Sequence, residues 1–271
     1  MEPNEALELR LLLDTIYERF QYDFRQYSQA SIRRRLTQAL SAFGCKTFSA
    51  MQERVLHDPS VFPTLLQYLT VQVSDLFRDH AYFRVFREQV VPVLRTYPSL
   101  KIWVAGCSTG EEVWSFAILL REEGLLEKTI LYATDINADA LRTAEAGIYR
   151  LERMKAFTEN HRASGATCSL STYYTARYGS AVFDRSLRKN VVFSDHSLAT
   201  DAVFAEVQVV SCRNVMIYFE RALQDRAVAL FRDSLCFRGF LGLGTKETIR
   251  FSKHDGDFDV FAAEERWYQR H

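Results

Sequence analysis

Residues 101–112, KIWVAGCSTGEE, restrict the fold of this chain more than any other stretch. An apolar strand runs into a turn of small residues. A helix then begins at two carboxylates, Glu111 and Glu112, because Val113, Trp114, Phe116, Ala117, Ile118, Leu119 and Leu120 continue as an apolar helical face. Gly106 and Gly110 permit a left-handed backbone or the close approach of a ligand. A strand, tight turn and helix in this order is how a doubly wound sheet holds a nucleotide-like ligand at its carboxyl edge. Phosphate is the usual guest of a helix N-terminus, but paired glutamates there repel it and attract a cation.

The next unit repeats the pattern. Residues 129–134, TILYAT, read as a second strand ending in Asp135, and Ala138–Ala146 reads as a helix. On its own, Asp135 serves equally well as the N-cap of that helix or as an acceptor for both ribose hydroxyls of an adenosine. The two glutamates one unit earlier favour the ribose. A nucleoside with a positive charge and no phosphate is the expected ligand, and S-adenosylmethionine is the commonest such molecule.

Bulk properties exclude several classes. The formal net charge of zero gives no overall field to gather nucleic acid. Five scattered cysteines (Cys45, Cys107, Cys168, Cys212, Cys236), without CxxC spacing, favour reduced thiols in a cytosol over a disulfide framework or a zinc site. No apolar run reaches the length of a membrane span, and neither a signal peptide nor an internal repeat is expected. The 48% hydrophobic content supports a substantial core.

Two parts follow from periodicity. Up to about residue 88 the apolar residues recur at helical spacing: Leu7, Leu11, Leu12, Ile16 and Phe20, then Ile32, Leu36, Leu40 and Phe43 before Gly44. Further helices are expected at 48–56 and 62–69. The predicted domains are therefore helical over 1–88 and α/β over 89–271. Strands are expected at 101–105, 129–134, 190–194, 207–211 and 239–244, with a closing hairpin of 258–262 and 266–270. Alternation of strands and helices argues for a parallel sheet. Residues 150–189 interrupt it with short β-like runs, either a small inserted β-subdomain or a surface insertion without a binding role.

Five segments in this order, TVQVSDLFRD at 70–79, AGCSTGEE, ATDI, SCRNVMIYF and GLGTKET, make the chain resemble the bacterial chemotaxis receptor methyltransferases, the CheR family. The likeness runs from about Tyr22 to the C-terminus. It implies an N-terminal all-helical domain, a Rossmann-like S-adenosylmethionine-dependent sheet and an inserted β-subdomain. It also implies methyl transfer to glutamates on the cytoplasmic helices of chemoreceptors, giving γ-glutamyl methyl esters and S-adenosylhomocysteine. A cytoplasmic monomer recruited to receptor clusters, neither binding nucleic acid nor inserting in a membrane, is expected.

Carried over by position, the resemblance places Gln72, Ser74 and Arg78 at the methionine part of the cofactor. Glu111 falls beside that part, Asp135 on the ribose, Ser197 and Leu198 beside the adenine, and Arg213 and Asn214 near the methionine and the acceptor. Gly106 lines the turn. Arg78 and Arg213 are the candidates for holding a carboxylate; Arg213 could instead pair with a sheet-edge carboxylate, but its neighbour Asn214 and its strand end, both facing the expected crevice, favour the site role. The basic run Arg33, Arg34 and Arg35 reads by default as a solvated helix face, and by resemblance as a docking surface for acidic receptor helices. Members that dock a receptor C-terminal pentapeptide carry extra glycine-rich residues in the β-subdomain loop. The short YGSAVF at 178–183 predicts a member independent of it.

Some positions depart from the family pattern: Gln72 for Asn, Ser74 for Thr, Ser197 for Asn, Val113-Trp114 for Pro-Tyr, and Thr245-Lys246-Glu247 for Ser-Glu. They keep open a carboxyl methyltransferase acting on a signalling receptor outside motility, and a regulatory module that binds S-adenosylmethionine or S-adenosylhomocysteine without turnover. No Ser/His/Asp or Cys/His constellation is visible. None is required, because a glutamate with a pKa near ~4.3 is already an anion at neutral pH.

Overall fold

In the computed structural model, which describes residues 3–271 (Pro3 by its backbone only), four helices run from Pro3 to Leu69. They are α1 (Pro3–Phe20), α2 (Gln29–Phe43), α3 (Phe48–His57) and α4 (Val61–Leu69). Of the predicted apolar faces Leu12, Ile16, Ile32 and Leu36 are buried, but Leu7 and Leu11 are exposed and α1 packs through Leu9 and Leu13 instead. Thr47 caps α3 by accepting the Ala50 N–H. α2 stops where the Gly44 and Cys45 N–H groups turn back to the carbonyls of Ser41 and Leu40. These helices belong to one compact unit, made of the residues up to Gln72 with Ser197–Asp201 and Tyr218–Ala227.

The second unit comprises Val73–His196, Ala202–Ile217 and Val228–His271. It opens with α5 (His80–Val85), a π-helical turn at Phe86–Val90 and α6 (Val91–Leu94). Its main sheet contains β1 (Leu100–Ala105), β2 (Thr129–Asp135), β6 (Val191–Asp195), β7 (Val207–Cys212), β8 (Leu235–Leu243), β9 (Phe258–Ala262) and β10 (Trp267–Arg270). The order is β6-β2-β1-β7-β8-β10-β9. The first five are parallel, and β10 runs antiparallel to both β8 and β9. The strand order and the antiparallel end match the parallel sheet and closing hairpin expected from the sequence. α7 (Glu111–Glu122) follows β1, α8 (Ala138–Ala146) follows β2, and α10 (Arg221–Ser234) precedes β8.

β1 is the spine of the core. Ile102, Trp103, Val104 and Ala105 are all buried, as expected of a central parallel strand covered on both faces. Trp103 satisfies its indole by donating to Thr134 Oγ1 at 2.8 Å. β8 starts at Leu235 rather than 239, through an irregularity in its pairing with β7 and a left-handed Arg238.

The interruption at 150–189 is an antiparallel three-stranded sheet, β3 (Ile148–Arg150), β4 (Tyr174–Arg177) and β5 (Ser180–Phe183), in the order β3-β5-β4. Its helix is α9 (Met154–Ala163). Tyr178 and Gly179 join β4 to β5 with φ of 48° and 74°, the pair of left-handed residues that a tight hairpin turn requires. Phe183 packs on Trp114, ring centroids 5.4 Å apart, which seats this small sheet on α7.

Candidate functional site

β1 lies between β2 and β7, where the strand order reverses, so a crevice opens at their carboxyl ends. The turn after β1 is sharply contorted, with φ of 70° at Gly106, 51° at Ser108 and 91° at Gly110. A Cβ on Gly106 would lie 2.5 Å from the Val215 side chain, and one on Gly110 2.7 Å from the Ala144 Cα. These glycines therefore admit the chain's own neighbours. The turn is pinned by Cys107 N–H to the Thr134 carbonyl (2.8 Å), by Ser108 N–H to Asp135 Oδ2 (2.8 Å) and by the Tyr149 hydroxyl to the Thr109 carbonyl (2.7 Å).

Asp135 ends β2 and is 8% exposed. Its oxygens accept from the Ser108 N–H and, at 2.9 Å, the Asn137 N–H. Asn137, through its own side chain, caps α8, so Asp135 is left out of that task. Burial pushes the Asp135 carboxyl above its usual range, opposed by the N–H groups of Asn137, Ser108 and Ile136. Asp195, opposite it across β2–β6, pushes the same way as burial. A carboxylate whose neighbours are backbone amides keeps lone pairs for two vicinal hydroxyls.

The helix-start glutamates are different, because each is matched by an arginine. Glu111 is fully buried, accepting from Thr109 Oγ1 and from Arg153 Nη1, both at 2.7 Å. Glu112 accepts from Ser211 Oγ at 2.6 Å and from Arg213 Nη1 at 3.0 Å. The negative charge that the sequence places here is thus largely neutralised within the chain. Arg213 also donates to the Arg78 carbonyl (2.8 Å) and Asp79 Oδ2 (2.7 Å), and its guanidinium lies 4.2 Å from the Tyr82 ring centroid. Its side chain is 1% exposed.

Residues 74–79 are stapled nearly residue by residue. Arg153 Nη2 donates to the Ser74 carbonyl and, at 2.9 Å, to Asp75. Asn160 donates to the Leu76 carbonyl (3.1 Å), and the Phe77 N–H donates to Ser115 Oγ (2.7 Å). Phe77 and Asp79 take left-handed φ of 50° and 54°, a strain these contacts over-determine. The Arg78 side chain, by contrast, has no hydrogen bond or ion pair among the described residues.

Beyond β7, Asn214 is left-handed (φ 60°) and the turn 214–217 is cradled by Glu247. Glu247 Oε2 accepts from the N–H groups of Asn214 and Gly244, both at 2.8 Å. Its Oε1 accepts from those of Val215 (2.9 Å) and Ile217 (3.3 Å). Burial pushes the Glu247 carboxyl up, against the pull of the four amides. Cys107 and Cys212 are buried, which drives both thiols well above their usual range and leaves no thiolate nucleophile.

The sheet unit thus gathers Ser74, Arg78, Gly106, Glu111, Asp135, Arg213 and Asn214 around the carboxyl ends of β1, β2 and β7. Gln72, Ser197 and Leu198 belong to the helical unit. There Gln72 donates to Thr70 at 3.1 Å, the Ser197 N–H donates to Asp201 at 2.9 Å, and Leu198 is buried. The basic run on α2 splits. Arg33 pairs with Glu5 and Arg34 is exposed, but Arg35 is not a surface residue: it is 6% exposed, donates to the Leu69 carbonyl at 2.7 Å and lies over Tyr218. An α2 face turned toward α4 explains this, since Arg35 shares that face with Ile32 and Leu36. Sequence reading missed Arg153, Tyr149 and Glu247. Only a likeness at Glu247 to a familiar Ser-Glu pair hinted at any of them.

The all-alpha domain model of the CheR methyltransferases matches residues 7–70, and the model of their S-adenosylmethionine-binding domain matches 72–266. The chain belongs to the CheR methyltransferase family. Among CheR relatives, a candidate methyltransferase of Pseudomonas putida, Cher3, is 57% identical over 99% of this chain and 98% of its own. The chemotaxis protein methyltransferase of Listeria innocua is 30% identical over 84% of each chain. Chemotaxis protein methyltransferase 2 of Pseudomonas aeruginosa is 30% identical over 76% of this chain and 75% of its own. The cofactor of this CheR chain is S-adenosylmethionine, and the residues present fit it. Asp135 offers acceptors suited to two hydroxyls, and Arg78 offers an uncommitted cation suited to a carboxylate. No helix among the described residues is long and apolar enough to cross a membrane.

Proposed function

We propose that this CheR chain methylates glutamate side chains on the cytoplasmic helices of chemoreceptors, forming glutamyl methyl esters. The observation that carries the reading is the uncommitted Arg78 guanidinium, held on an otherwise fully stapled segment of the unit that contains Asp135. Asp135 takes the ribose hydroxyls, and Arg78 takes a carboxylate, that of the cofactor's methionine arm or of the acceptor. When bound, S-adenosylmethionine supplies an electrophilic methyl group on a sulfonium. An acceptor carboxylate oxygen would take that methyl, the C–S bonding pair staying on sulfur to leave S-adenosylhomocysteine. No proton moves, since the glutamate is already ionised. The chain's task is alignment and exclusion of water.

The family resemblance assigns Ser197 and Leu198 to the adenine, and Gln72, Ser74 and Asn214 to the rest of the cofactor. Arg33 and Arg34 remain on the α2 surface as the complement to acidic receptor helices. The two-residue turn at Tyr178–Gly179 supports independence from a receptor pentapeptide. The names of the Listeria and Pseudomonas aeruginosa relatives support chemotaxis as the setting.

The test is transfer of a tritiated methyl group to receptor cytoplasmic fragments, with base-labile release and Asp135→Ala as control. Label on receptor glutamates, lost in the variant, supports the reading. Label on another protein instead identifies a different acceptor, and cofactor binding without any labelled acceptor makes the chain a regulatory module.

A further inference from the structure

We propose that Arg153 is a positioning residue for the cofactor's amino-acid arm. It locks the start of the 74–79 segment to the first turn of α7, so that the Arg78 guanidinium is presented in one place. The proposal rests on the reading of Arg78 above and adds a residue from the inserted subdomain, between β3 and α9.

Three anchors meet at this one side chain. Arg153 Nη1 holds Glu111 Oε1 at 2.7 Å, and Glu111 is fully buried with no other cation paired to it among the described residues. Nη2 holds the Ser74 carbonyl and Asp75 Oδ1. The guanidinium plane rests over Phe157 on α9, 4.6 Å from the ring centroid. The fork geometry of arginine permits this double engagement, and a lysine ammonium cannot reproduce it. The rest of the segment has its own staples: Asn160 on Leu76, Ser115 on Phe77, and Arg213 on the Arg78 carbonyl and Asp79. Removing Arg153 therefore frees the Ser74–Asp75 end while the downstream contacts persist. For the ligand the consequence is a looser Arg78 and a misplaced Ser74, while the stranded charge of the buried Glu111 lowers the stability of the fold.

Two ligands separate that effect from general weakening. S-adenosylhomocysteine carries the amino-acid arm, whereas methylthioadenosine has the same nucleoside without it. Calorimetry on the full chain should show wild type binding both, S-adenosylhomocysteine more tightly. Arg153→Gln should lower the affinity for S-adenosylhomocysteine about tenfold, the scale of a lost charge-assisted contact, and leave that for methylthioadenosine unchanged. Arg153→Lys should recover only part. Asp75→Asn, which spares the pair with Glu111, should show a smaller loss with the same selectivity and serves if Arg153→Gln does not fold. Equal losses for both ligands would make Arg153 merely structural and overturn the proposal. Unchanged or tighter S-adenosylhomocysteine binding would also overturn it. Failure of wild type to bind either ligand would instead sink the reading of the site itself.

Discussion

Replacing Arg213 by alanine should damage stability before it can report on chemistry. The side chain is 1% exposed and pairs with Glu112, itself 13% exposed, and with Asp79 at 36%. Removing one member of a buried pair strands the other charge and costs about 3–5 kcal/mol. The more exposed Asp79 contact adds little by itself. Loss of the Tyr82 stack adds about 0.5–2 kcal/mol. We expect a total near 4 kcal/mol, which at about 2–4 °C per kcal/mol lowers the melting midpoint by ~8–16 °C. Urea and thermal melts of wild type, Arg213→Ala, Glu112→Gln and the double variant form the cycle. The double variant should be more stable than the sum of its parts predicts by at least ~1.5 kcal/mol, because an amide in place of Glu112 leaves no buried charge behind. A loss under about 1 kcal/mol for Arg213→Ala, or strictly additive effects, would refute the buried pair and put Arg213 back in the crevice.

Burial raises the pKa of Asp135, so as pH falls it gains its proton earlier than an ordinary carboxylate at about 3.9 and, on the proposed role, loses an acceptor for the ribose. Affinity for S-adenosylhomocysteine should fall across the acid range above that value, while Asp135→Asn binds weakly with no such dependence; a flat wild-type profile by calorimetry would contradict this. For stability the sign is opposite: a carboxyl whose folded pKa is raised favours the fold most below its unfolded pKa, and that contribution disappears as pH rises through the folded value. On α2, Arg34→Glu should raise the KM for receptor fragments and leave both melting and cofactor affinity alone. Arg35→Glu should instead unfold the helical unit at lower temperature, by about 3 kcal/mol or more, since it places an acid against the Leu69 carbonyl and the Tyr218 ring. Equal melting of the two variants would overturn that division.

The sheet was legible because its central strands are apolar on both faces and end in glycine or an acid, as at Ala105–Gly106 and Thr134–Asp135. The helices of the first unit were legible from spacing and from Gly44. Less visible was the charge balance of the site. Glu111 and Glu112 read as an acidic mouth, but their neutralising partners lie 42 and 101 residues away. Pattern cannot reveal a pairing at that separation. The same limit hid Glu247. For Arg35 the difficulty was local: three consecutive arginines point in three directions around a helix, so a run of charge cannot all be surface. Asp135 shows the reverse case, where one residue two places on, Asn137, takes the cap that the sequence had left open.

The turn after β7 owes its form to a carboxylate that arrives only after β8. Asn214 and Val215 wait for an acceptor 33 and 32 residues further along the chain. The hydrogen bonds of that stretch of backbone are complete only when the segment after the fifth parallel strand is in place. A substitution confined to β8 can therefore blur the crevice without touching any residue in it.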